Sequence, residues 1–129
     1  MTTIFSYIKS QSRSQQFDVN ALLNTLSISD THLRELSRKH FGLSPSELIE
    51  AVRLENVLDT IENREHFVNM SENCGFGCIK TFNRAFQKRV GITAAQARKL
   101  LLQSNDKETL KHQWRNKIWS KGGKGIPTL

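Results

Sequence analysis

Two stretches 49 residues apart share one grammar: "GLSPSE" at 42–47 and "GITAAQ" at 91–96. Each runs glycine, apolar residue, Ser or Thr, two residues, then Glu or Gln. The glycine is where a helix stops. The hydroxyl caps the next helix, and the Glu or Gln three residues on reaches back to complete a capping box. In the first copy Pro45 also sits at the first helical position, where its missing N–H costs nothing. The same offset pairs Leu33 with Phe82, Lys39 with Lys88 and Gly42 with Gly91. A chain that stops and restarts a helix twice in this way is constrained to a duplicated helical fold.

The flanking periodicity agrees. "TTIFSYIKSQS" places Ile4, Phe5, Tyr7 and Ile8 on one helical face. "DVNALLNTLS" starts with an Asp18 cap and presents Val19, Leu22, Leu23 and Leu26 at helical intervals. "SDTHLRELSRKHFG" has Ser29 as N-cap, should bury Leu33, Leu36 and Phe41, and ends at Gly42. Only Ser27 and Ile28 lie between the first of these helices and the Ser29 cap of the next, so the two must cross steeply, as in a helix-turn-helix. The capped helix from Pro45 runs through Leu48, Val52, Leu54 and Leu58 to about Ile61, and "ENREH" breaks it. The second copy follows with Phe67, Met70, Ser71 and Cys74, a Gly75 turn, and then Phe82, Ala85, Phe86 and Val90. Its turn is one residue longer. The expected fold is all-α: a first helix-turn-helix subdomain over 1–44, a linker helix over 45–62, a second subdomain over 63–102, and a tail over 103–129.

Charge is unevenly spread. Residues 79–99 carry +6 with no acid, residues 29–42 carry +1, residues 45–65 carry −4 and the tail carries +4. A basic helix beside an acidic one suggests a surface with a polyanionic partner. No apolar run approaches the roughly 20 residues that span a bilayer, and the N-terminus does not read as a signal peptide. Two cysteines without an export signal suit a reducing compartment.

"ENCGFGCIKTFNRAFQKRVGIT" resembles the signature of the AraC/XylS family of bacterial transcription regulators, with Gly75, Phe76, Phe82, Arg84, Phe86, Lys88, Gly91 and Thr93 at matching places. "RLENVLDTI" resembles that family's linker helix. The resemblance covers roughly residues 4–100. It implies a reading helix in each unit, with base contacts from Thr31, Arg34 and Glu35 in the first and from Ile79, Lys80, Asn83 and Arg84 in the second; by spacing, Arg38 shares the face of the first set and is a further candidate for DNA contact. Lys88 follows one turn on. The chemistry is apt: Arg suits guanine, Asn suits adenine, and a methyl of Ile or Thr can meet thymine. Lys88, Arg89 and Lys99 are expected at phosphates.

Departures from the family pattern fall mainly in the first unit. Glu35 stands where Arg is usual, Ser37 where an aromatic is usual, and Leu23 where a small residue is usual. Glu35 would either accept from cytosine N4 or pair with Lys39 along its own helix. Ala94 and Ala97 replace Pro and an aromatic, which suggests a looser last helix.

Cys74 and Cys78 are too few for a zinc site; Cys74 reads as a core residue, and Cys78 lies where a helix start would stabilise a thiolate. His32, His40, His66 and His112 form no set with a nucleophile. No catalytic set, phosphate loop or cofactor motif stands out, so no enzyme activity and no cofactor are expected. In the tail, Leu110, Trp114 and Ile118 share a helical stripe that could dock on the second unit. A disordered basic arm from "KGGKG" onward is the alternative, and Trp119 could anchor a partner.

The resemblance implies a sequence-specific transcription regulator, an activator, acting on promoter DNA in the bacterial cytoplasm at the nucleoid. RNA polymerase or a regulatory protein is a further expected partner. The first helix begins almost at Met1, which leaves no room for a sensor or dimerisation domain unless the chain is a piece of a longer one. An interaction protein with a degraded first reading helix, and an architectural DNA binder of low specificity, are the rival readings.

Overall fold

The computed structural model describes residues 2–120. Its helices are α1 (Thr2–Gln11), α2 (Val19–Leu26), α3 (Asp30–Phe41), α4 (Pro45–Thr60), α5 (Phe67–Asn73), α6 (Ile79–Val90), α7 (Ala94–Gln103) and α8 (Lys107–Trp119). No strand occurs among the described residues, so the chain is all-α as expected. The alternative of an arm from "KGGKG" onward lies outside them.

The repeated grammar forms as read. Ser44 and Glu47, and Thr93 and Gln96, each complete a capping box. Gly42 and Gly91 close α3 and α6 in the left-handed region, each donating its N–H to the carbonyl four residues back. Asp18 Oδ1 accepts from the Ala21 N–H at 2.9 Å. Fully buried Leu22 and Met70 stand 48 residues apart, whereas fully buried Phe82 and nearly buried Leu33 stand 49 apart. The second joint therefore holds one added residue. Because α5 also ends a residue early, five residues (74–78) separate α5 from α6, against three (27–29) in the first unit.

One burial assignment shifts. Leu36 is only half-buried, and the inward stripe of α3 is Leu33, Ser37 and Phe41, at strict i, i+4, i+8 spacing. The Ser37 hydroxyl is accommodated because it donates to the Leu43 carbonyl at 2.6 Å. A small polar residue thus replaces an aromatic without leaving a buried group unpaired.

Helix α4 is the axis of the molecule. It packs against α1, α3, α5, α6 and α8, and buries Leu48, Ala51, Leu54, Val57 and Leu58. Arg53 on α4 fastens the α1–α2 loop by donating to the carbonyls of Ser12, Ser14 and Phe17. Arg98 on α7 does the corresponding work at the other end. It donates to Ile61 O and Glu65 O, both at 2.8 Å, and its guanidinium lies 3.9 Å from the centre of the Phe67 ring. Ala94 and Ala97 are buried. With these bonds α7 is anchored, so the looseness expected from the two alanines is offset.

Helix α8 reaches further than the second unit. It docks on α4 and α6 through Trp114, Ile118 and Trp119, and Trp119 meets Phe5 of α1 edge-on at 6.2 Å. Trp119 is 1% exposed. It anchors the molecule's own core and is not available to a partner.

The acidic and basic segments partly neutralise each other inside the fold. Glu62 pairs with Lys111 and with Lys107, Glu55 with Arg115 at 3.0 Å, and Glu50 with Arg89 at 3.1 Å. Lys111 and its fellow lysine hold the Glu62 carboxyl below the usual range, whereas burial pushes Glu55 up. Three cations of the tail, Lys107, Lys111 and Arg115, are thus directed at α4 and the turn just after it. No helix among the described residues is long and apolar enough to cross a membrane.

Candidate nucleic-acid interface

Helix α6 has two sharply different faces. Phe82, Ala85, Phe86 and Val90 turn inward, while Lys80, Asn83, Arg84 and Lys88 are exposed and Ile79 is half-exposed at the start. The helix carries no Asp or Glu. Among the described residues none of Lys80, Arg84 and Lys88 enters an ion pair. Its outward side is a strip of cations with the amides of Asn83 and Gln87, groups that suit phosphate and purine edges.

Arg89 does not belong to that strip. It is 7% exposed, and donates from Nε to Glu50 Oε1 and from Nη1 to Ile118 O at 3.0 Å. The expectation of a phosphate contact is corrected by its register: it lies seven residues after Phe82, on the same inward face. Arg98 is likewise turned inward. Of the six basic residues between Lys80 and Lys99, four face outward (Lys80, Arg84, Lys88, Lys99), and two are structural.

Helix α3 presents Thr31, Arg34, Glu35 and Arg38 on one exposed face. The Ser29 hydroxyl accepts the His32 N–H at its start. Arg34 Nη2 lies 2.9 Å from Asp30 Oδ2. The Glu35–Lys39 pair does not form among the described residues. The first helix therefore has one arginine tied by a carboxylate, beside a second, unpaired carboxylate. The Asp30–Arg34 contact is an i, i+4 pair that spacing alone could have revealed. Between α2, α3 and the start of α4 lies a cleft of about 630 Å³, lined by Leu23, Arg34, Arg38 and Pro45 among others. Leu23 is half-buried at its wall.

Cys78 occupies the N-cap position of α6 and is exposed. The Thr81 hydroxyl, 3.2 Å from its sulfur, holds the thiol below its ordinary pKa. Cys74 is buried, and burial pushes its thiol up. Among the described residues no group of three or more His, Cys, Asp or Glu comes together as metal ligands do.

Two copies of a short helix crossing a longer exposed one, bridged by a capped helix, define a bipartite helix-turn-helix domain. A family model described as "Helix-turn-helix domain" matches residues 22–100, and the chain belongs to this AraC-type helix-turn-helix family. It is 29% identical over 93 residues to a protein named Histidine kinase P4 of Formosa agariphila, covering 71% of this chain and 7% of that one. It is 29% identical over 82 residues to the HTH-type transcriptional regulator Rv1931c of Mycobacterium tuberculosis, covering 63% of this chain and 32% of that one. The chain thus spans less than a third of the length of either relative. Among solved structures it is similar to the C-terminal domain of AraT, a response regulator from Geobacillus stearothermophilus. That likeness has a TM-score of 0.74 at 19% identity, over 81% of this chain and 87% of that one. The C-terminal domain of the two-component response regulator yesN from Fusobacterium nucleatum gives a TM-score of 0.70 at 23% identity, over 75% and 95% of the two chains. These two likenesses speak for the fold.

Proposed function

We propose that this chain is a sequence-specific, DNA-binding transcription regulator that sets α3 and α6 into successive major grooves and acts as an activator. The observation that carries the reading is the outward strip of α6: three unpaired cations and Asn83 on a helix without acid. A major groove of about 12 Å admits one such helix. Lys80, Asn83 and Arg84 are placed to read bases there, with Ile79 against a thymine methyl. Lys88 and Lys99 suit phosphates. Thr31, Arg34, Glu35 and Arg38 are the corresponding readers on α3. RNA polymerase, or a regulatory partner, is the proposed recipient of the bound protein's signal.

The test is Arg84→Ala, measured on duplexes selected from a random pool and on unselected DNA. Loss of a bidentate base contact should cost about 1–3 kcal/mol on the selected duplex and much less on the random one. Equal losses on both would make Arg84 a phosphate contact and move the reading elsewhere.

A second reading has its own observation. The Asp30–Arg34 pair and the unpaired Glu35 leave α3 weakly cationic, which suits a first unit that binds a regulatory protein. Glu35→Arg separates the two. If α3 lies on DNA, the substitution should tighten binding to unrelated DNA and steepen the salt slope by about one to two units. If α3 serves a protein, DNA affinity at three salt concentrations should stay nearly unchanged.

A further inference from the structure

The last residues of α3 and α6 are Phe41 and Val90, equivalent positions 49 residues apart in the repeat. Both are connected to the end of α8. The Phe41 ring lies 5.0 Å from Phe5, and Phe5 lies 6.2 Å from Trp119. One residue earlier on α8, Ile118 O accepts from Arg89 Nη1 at 3.0 Å. Lys117 Nζ lies 3.5 Å from the Val90 carbonyl, where a cation suits a helix C-terminus. Arg89 is also tied to Glu50 on α4. The family match ends at residue 100, before α8 begins.

We propose that α8 is a brace that couples the C-terminal ends of the two reading helices and so fixes the separation between the DNA segments they engage. Arg89 is its positioning residue on α6, and Trp119 its link to α3 through Phe5. The proposal rests on the DNA-reading function above. A linker helix alone joins the two units along one line. The contacts through Phe5, Trp119, Ile118 and Arg89 add a path at the C-terminal ends of the reading helices, apart from the approach of the Gly75 turn to the Ser12 loop. Two paths suppress the hinge motion that one would allow, so a site whose halves are moved by a base pair cannot be met by flexing. The charged rungs Glu55–Arg115 and Glu62–Lys107 hold α8 on α4 and on the turn that follows it.

Two full-length variants test this. Trp119→Leu keeps an apolar side chain but loses the ring that reaches Phe5. Arg89→Lys keeps a charge near Glu50 but loses the planar fork that donates to Glu50 and Ile118 O from two separate nitrogens. Each is compared with wild type by selection from a random duplex pool, and by amide hydrogen exchange of the DNA-free protein. Wild type should select two sequence blocks at one separation. Both variants should accept several separations, and their preference for the best wild-type duplex over random DNA should fall roughly 2- to 30-fold. Exchange should rise together at 38–42 and 87–91. An unchanged single separation in folded variants overturns the brace, as does exchange that rises at one end only. If wild type itself enriches no sequence, the DNA reading fails, and the paired rise in exchange still decides whether α8 couples the two ends.

Discussion

Gly75→Ala is expected to destabilise the protein by about 3 kcal/mol or more. Gly75 has φ of +92°, which L-residues rarely adopt, and an added Cβ would stand 2.1 Å from the Ser12 carbonyl oxygen. That oxygen cannot move freely, because it already accepts from Arg53 Nε at 2.8 Å. The turn of the second unit thus presses on the loop of the first. Gly91→Ala is the control: its φ is +93°, but nothing lies within 4 Å of the added carbon. It should cost only the backbone strain, about 1 kcal/mol. Denaturant unfolding of both variants measures the difference. Similar losses would mean that the approach of Ser12 to Gly75 does not matter.

The affinity for DNA should fall about a thousandfold between roughly 50 mM and 200 mM salt, a slope near −5 in log K against log salt. Arg38, Lys39, Lys80, Arg84, Lys88 and Lys99 are exposed and free of ion pairs among the described residues. If about six phosphates are neutralised, each contributes roughly 0.9 to the slope. Arg89, buried against Glu50, and Arg98, whose guanidinium donates to two carbonyls, are not counted among the six. Titration at three or four salt concentrations gives the slope. A value shallower than about −2 rules out docking by both helices.

Much of the fold is legible in the amino-acid sequence, because its signals are local. Gly42, Ser44 and Glu47, and their counterparts Gly91, Thr93 and Gln96, satisfy backbone groups within one turn of chain. Such interactions depend on spacing alone. The amphipathic stripes of α2 and α6 are of the same kind, as is the extra residue in the second joint. The exposed faces of α3 and α6 follow from these stripes, and so does the grouping of Thr31, Arg34, Glu35 and Arg38, and of Lys80, Asn83 and Arg84.

The sequence by itself thus determined an all-α chain with two copies of one joint, and which sides of its exposed helices face outward. Only the tertiary structure decided how the charges are used and what holds the copies together. By residue type alone Arg89, Arg98 and Arg53 resemble any surface cation, yet each serves carbonyls or a carboxylate 29 to 41 positions away. Trp119, expected as an anchor for a partner, instead meets Phe5, from the opposite end of the chain. A helical period says which residues share a side. It does not say what that side will meet, because that depends on contacts between segments distant in sequence, whose pairing is set by the packing of the other helices around α4.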